Sequence, residues 1–79
     1  MQIFCGGLDQ NVTEEELKLA FEQFGPVQRV KICTHKATGR SRGFGFISMR
    51  PSGGGREAIA ALNGSIIGSR RVSVEESNL

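Results

Sequence analysis

Arg42-Gly43-Phe44-Gly45-Phe46-Ile47-Ser48-Met49 is the stretch whose reading decides the fold. Two phenylalanines stand two positions apart, each behind a glycine, with an arginine in front. Successive side chains of a strand point to opposite faces, so Phe44 and Phe46 share a face with Arg42 and Ser48. Gly43, Gly45, Ile47 and Met49 take the other. Such a strand carries apolar groups on both sides, and one side can serve a core. What covers the second side decides what the protein does.

Upstream, residues 27–34 alternate in the same way, with Val30 and Ile32 on one face and Arg29, Lys31 and Cys33 on the other. Residues 35–41 between the two strands form a polar, basic turn with Thr38-Gly39 near its tip. Before them lies the clearest helix start in the chain. Thr13 followed by Glu16 is a capping box, Val12 with Leu17 fits the hydrophobic staple, and the acidic first turn suits the helix dipole. Leu17, Ala20, Phe21 and Phe24 recur at helical spacing, and Gly25-Pro26 stops the helix. Residues 1–5 read as a short strand that sets Ile3 and Cys5 against Gln2 and Phe4, ended by Gly6-Gly7.

Downstream, residues 51–55 read as a mobile, glycine-rich connection. It lacks the terminal Lys-Ser/Thr of a phosphate-binding loop. Residues 56–62 form a short helix with Ala58, Ile59 and Leu62 as its buried side, ended by Asn63-Gly64. Residues 71–75 read as a last strand with Val72 and Val74 inward and Arg71, Ser73 and Glu75 outward; Ile66 and Ile67 pack at its entrance.

The predicted order is strand, helix, strand, strand, helix, strand: an α+β, ferredoxin-like βαββαβ fold with a four-stranded antiparallel sheet and two helices on one face. Right-handed crossovers put both helices on the same side. Two helical stripes cover one sheet face only. Ile3, Cys5, Val30, Ile32, Ile47, Met49, Val72 and Val74 form a consistent set for it. Phe4, Phe44 and Phe46 then lie together on the bare face. Cys5 and Cys33 fall on opposite faces, which excludes a disulfide between them.

Seventy-nine residues allow one domain, 1–79, and one core. An apolar share of 38% with 23% charged residues is that of a globular chain. Net charge is only +2, so the position of the charges says more than their sum. Arg29, Lys31, Lys36, Arg40 and Arg42 cluster in the middle, while Glu14–Glu16 and Glu75–Glu76 gather the acids. Two cysteines and one histidine cannot make a four-ligand zinc site, and no cofactor is expected. One histidine in a turn, with no carboxylate pair or activated nucleophile, argues against an enzyme. No apolar run is long enough to span a bilayer and no secretory leader is legible, so an intracellular location is expected. Asn11-Val12-Thr13 and Asn63-Gly64-Ser65 match the glycosylation acceptor pattern and are read as coincidences. An apolar patch on a water-soluble domain marks a binding surface. Flat rings flanked by Arg29, Lys31, Arg42 and Arg71 suit a ligand made of flat rings on a phosphate chain, which is single-stranded nucleic acid.

The chain resembles the RNA recognition motif family. Residues 42–49 match that family's octapeptide (K/R-G-F/Y-G/A-F-V-x-F/Y) at seven of eight places when isoleucine stands for valine. Ile3-Phe4-Cys5-Gly6-Gly7-Leu8 resembles the companion hexapeptide. The double glycine and the Ser41–Phe46 run look most like the heterogeneous nuclear ribonucleoprotein and Musashi branch. The resemblance implies that Phe4 stacks on the 5′ base of a dinucleotide and Phe46 on the next. Phe44 then lies against the sugars and Arg42 pairs with a phosphate. Gln2, Arg29, Lys31, Arg71 and Ser73 complete the candidate RNA-binding set. The implied partner is single-stranded RNA, with single-stranded DNA open, bound by a monomer. The alternative is a protein-interaction module on the same fold, using the helices or the aromatic face.

Four departures from the family pattern carry expectations. Met49 replaces an aromatic but faces inward and alters packing alone. Gln2 stands where that branch often has lysine. Gly53-Gly54-Gly55 replaces an acidic helix-forming lead, at roughly 1 kcal/mol per glycine if helical, so the second helix is expected to begin late, near Arg56. Relatives draw contacts from beyond the last strand, so this segment is expected to bind more loosely than a longer parent. Gly43 and Gly45 keep one side of their strand slim, for the packing of the helices or for a ligand.

Overall fold

In the computed structural model, which describes residues 1–50 and 53–77, the elements are β1 (Gln2–Gly6), α1 (Glu14–Glu22), β2 (Val27–Thr34), β3 (Ser41–Met49), α2 (Gly55–Leu62), β4 (Ile66–Ile67), β5 (Arg70–Arg71) and β6 (Ser73–Ser77). Four of the strands form an antiparallel sheet in the order β2-β3-β1-β6, with both helices on one face. This is the ferredoxin-like arrangement.

The local signals act as their chemistry dictates. Thr13 caps α1 by accepting a hydrogen bond from the Glu16 N–H at 3.1 Å. The return arm of the box differs: the Thr13 hydroxyl itself meets Glu16 Oε1 at 3.4 Å. Val12 and Leu17 are both buried, as the staple requires. The N-terminal ammonium donates to the Met49 carbonyl at 2.6 Å and the Met49 N–H to the Met1 carbonyl at 2.9 Å, pinning the chain start to the end of β3.

The core lies between sheet and helices. Ile3, Cys5, Ile47 and Met49 are sealed from solvent along with Leu17 and Phe21 of α1 and Ala58 of α2. Ile32, Val72 and Val74 join them, and Val30 packs against the cluster half-buried, since β2 is an edge strand. Burial of each large apolar side chain contributes roughly 1.5–3 kcal/mol. Cys5 and Cys33 are both free thiols. Burial pushes the Cys5 thiol up to about 11.

Each edge strand of the sheet has one N–H taken up by a side-chain acceptor, which interrupts the hydrogen-bonding row that an edge presents. On β2, the Glu14 carboxylate accepts from the Ile32 N–H at 2.9 Å. On β6, Asn63 Oδ1 accepts from the Val74 N–H at 2.9 Å. The acid placed for the helix dipole thus also ties α1 to the sheet.

Three expectations need correction. The last strand runs over Ser73–Ser77 rather than 71–75. Arg71 belongs to a separate two-stranded hairpin in which Ile66 faces Arg71 and Ile67 faces Arg70. The cause is Gly68, whose φ of +68° closes a two-residue Gly68-Ser69 turn that few other residues adopt. Within that hairpin Ile67 is buried, but Ile66 is exposed instead of packing at the strand's entrance.

The second concerns Gly45. A Cβ there would lie 2.5 Å from the Lys31 carbonyl oxygen, so the backbone of β2, not the helices, demands glycine. The third concerns the glycine-rich connection. α2 begins at Gly55, close to the expected start, but Gly53–Gly55 are packed rather than loose. A Cβ on Gly54 would collide with the Phe24 carbonyl oxygen at 1.9 Å, and one on Gly55 with Met1 Sδ at 2.5 Å. Gly54 thus lets the start of α2 lie against the backbone just past α1, and Gly55 lets it close on Met1. Pro51 and Ser52 of the same expectation lie outside the described residues.

Candidate nucleic-acid interface

The helix-free face of the sheet is organised in rows, because residues paired across antiparallel strands point to the same side. Arg29, Ser48, Gln2 and Ser77 make one row, read from β2 to β6. Lys31, Phe46, Phe4 and Glu75 make the next. Phe44, Gly6 and Ser73 make the third.

Phe4, Phe44 and Phe46 meet at the centre of these rows. Their ring centroids are 5.9 Å apart for Phe4–Phe44, 5.8 Å for Phe4–Phe46 and 6.3 Å for Phe44–Phe46. The first pair is stacked and the other two meet edge to face, geometries that aromatic quadrupoles favour. All three are half-buried. Each ring is braced by its neighbours and keeps part of its surface open. Phe4 leans over Gly6, where a Cβ would lie 2.8 Å from the ring. The glycine of the first strand thus lets the ring lie flat along the sheet.

The charged groups surround this platform unevenly. Arg42 is exposed, with its guanidinium carbon 5.3 Å from the Phe44 ring centroid, a cation–π arrangement. Gln2, Gln28, Arg29, Lys31, Phe46 and Ser48 line a shallow groove of about 570 Å³ beside the rings. Four of the sequence-predicted residues therefore share one groove. Ser73 is exposed at the far side, opposite Gly6. Arg71 stands apart from them in the small hairpin, where its Nη1 donates to the Gly64 carbonyl at 2.7 Å.

Two polar groove residues, Ser48 and Gln28, lie outside the candidate set. Ser48 was legible, since it shares the strand parity of Phe44 and Phe46. Gln28 was not: the register of β2 shifts between Val27 and Arg29, and simple alternation cannot place a residue inside such an irregularity. Glu75, read as outward-facing, is exposed and stands opposite Phe4. Among the described residues there is no group of acids, cysteines and histidine able to hold a metal ion. No helix there is long and apolar enough to cross a membrane.

The RNA recognition motif family model matches residues 3–73, and the chain belongs to that family. It is a family of RNA-binding domains, not of enzymes. A glycine-rich RNA-binding protein of carrot (Daucus carota) is 40% identical over 74 residues, covering 94% of this chain and 47% of the carrot protein. The chain thus spans about half the length of that relative. Among solved structures, RNA-binding protein PG1 superposes with a TM-score of 0.94 at 37% identity, over 100% of this chain and 95% of that one. The Rna15 domain solved with bound RNA (GU) gives 0.85 at 31% identity, over 99% and 83%.

Proposed function

We propose that residues 1–79 act as one domain that binds single-stranded RNA, two to four nucleotides at a time, on the helix-free face of the sheet. The observation that carries this is the trio of mutually braced phenylalanines on that face. Phe4 and Phe46 stack on successive bases and Phe44 supports the sugars between them. Arg42 meets a phosphate, and Gln2, Arg29 and Lys31 receive the strand along their groove. Ser73 and Arg71 are peripheral; Arg71 has donors left after its bond to Gly64. Family membership and the Rna15 domain bound to RNA support the reading.

Stacking is worth about 1–3 kcal/mol per base and is tolerant of sequence. Two stacks and a few phosphate contacts, less the ordering of a flexible strand, give a dissociation constant on the order of micromolar. Salt dependence is shallow, with a slope of about −0.7 per neutralised phosphate. The domain works as a monomer, inside the cell, in post-transcriptional RNA processing or regulation, and single-stranded DNA is a second candidate ligand of the same face. The Gly6-Gly7 pair and residues 41–46 support a place near the heterogeneous nuclear ribonucleoprotein and Musashi branch, beside the likeness to glycine-rich RNA-binding proteins.

The test is a titration of short RNA into the Phe4→Ala/Phe46→Ala double variant. Loss of binding with an intact fold is expected. Unchanged affinity rejects the assignment and favours the protein-interaction module. Amide shifts on adding oligonucleotide should centre on residues 4, 42, 44 and 46.

A further inference from the structure

The outer face carries one group that a phosphate-binding surface does not explain. Glu75 is exposed and sits directly opposite Phe4, in the row that ends the platform on the β6 side. Among the described residues, no cation or hydrogen-bond donor pairs with its carboxylate. Every other charged residue in the rows, Arg29 and Lys31, is basic and lies at the opposite edge. An unpaired anion beside a polyanion's path repels it, unless the ligand brings N–H groups to that position.

The direction from which those groups come is set by the rings. Phe4 leans along β1 over Gly6, with Phe44 stacked on its β3 side. A base stacked on Phe4 is therefore bounded by another ring toward β3, and its β6 side is open to polar groups. There it meets Glu75 and the Ser73 hydroxyl, the outward residues opposite Phe4 and Gly6. An ionised carboxylate is acceptor-only and takes two parallel N–H donors best. On their pairing edges the four bases differ in this respect. Guanine offers two adjacent donors, N1–H and the 2-amino group. Adenine and cytosine offer one amino group beside an acceptor. Uracil offers a single N–H flanked by two carbonyl oxygens, which the carboxylate repels.

Resting on the reading of this face as an RNA platform, we propose that Glu75 is a specificity-determining residue that selects guanine at the base stacked on Phe4. Discrimination by a good bidentate contact runs from several-fold to about a hundred-fold, and an exposed one falls near the low end. Affinity is then carried by the rings and base choice by the acid at the sheet's edge.

The experiment titrates the chain with uridine pentamers that carry one central substitution: guanine, inosine, adenine or cytosine. A single substitution suffices because the strand can slide to seat its best base on Phe4. The expected order is guanine first, roughly ten-fold over the all-uridine pentamer, with inosine, which lacks the 2-amino group, falling between. Glu75→Gln should weaken the guanine pentamer and strengthen the all-uridine one. Opposite signs cannot come from a loss of fold, which weakens both together. Equal affinities for all pentamers, or a guanine preference that survives Glu75→Gln, overturns the inference while leaving the platform intact. Binding that is insensitive to Phe4→Ala overturns the platform itself, and this inference with it.

Discussion

The two faces of the sheet use the same kind of residue for different ends. Ile3, Ile47 and Met49 on one face and Phe4, Phe44 and Phe46 on the other come from the same two strands, β1 and β3, at alternating positions. The first three are sealed beneath α1 and α2, and the second three stay half-open, braced mainly by one another. The difference lies in what covers them. Area removed from water on folding stabilises the fold; area left open can stabilise a complex instead. Three aromatic rings held 5.8 to 6.3 Å apart give a stiff surface, so little further ordering is needed when bases stack on it.

Substitutions that separate stability from binding test this division. Phe21→Ala, in the sealed layer, should cost about 3–5 kcal/mol of stability by denaturant unfolding. A smaller cost than that of Phe44→Ala would undo the contrast between faces. Phe4→Ala or Phe46→Ala should each remove about 1–3 kcal/mol of RNA affinity in a titration while moving the unfolding midpoint little. Thr13→Ala should cost about 1 kcal/mol through loss of the α1 cap and leave RNA affinity alone.

Thiol chemistry sharpens the contrast without any substitution. Alkylation should reach half-exposed Cys33 in the native protein and spare buried Cys5 until unfolding, with mass spectrometry locating the label. Because burial raises the Cys5 thiol, its contribution is whole below the ordinary cysteine value. It is lost as pH climbs from there toward about 11, where the unfolded chain ionises first. The smallest expected effect is at Asp9. The Ser69 hydroxyl, and then the Asn11 N–H, hold its carboxyl below the usual aspartate value. That contribution is full above the ordinary value and fades as pH falls through the lowered one. The amide signals of Ser69 and Asn11 should move together there, and the outer-face phenylalanines should not respond.

Most of the site was legible because strand alternation is a local property. Phe4, Arg42, Phe44 and Phe46 needed only parity and a count of helices. Met49, at the last octapeptide position, is fully buried as its parity demands. Gln28 was lost to a register irregularity in β2. Arg71 was misassigned to the last strand although Gly68-Ser69, between Ile66-Ile67 and Arg70-Arg71, is itself a hairpin signal.

By itself, then, the sequence determined the two helices, the four strands of the main sheet and the apolar residues of each face, because caps, turns and two-residue periods act over a few peptide units. The tertiary structure alone decided which residues stand opposite one another. Residues 4 and 75 are neighbours only because β1 is flanked by β3 and β6 in one particular register. The same holds for the glycines. Gly45 and Gly54 are required by the backbones of β2 and of Phe24, just past α1, which come close only when the whole chain is packed. Local chemistry fixes direction along a strand; distance between segments far apart in the chain is fixed by packing.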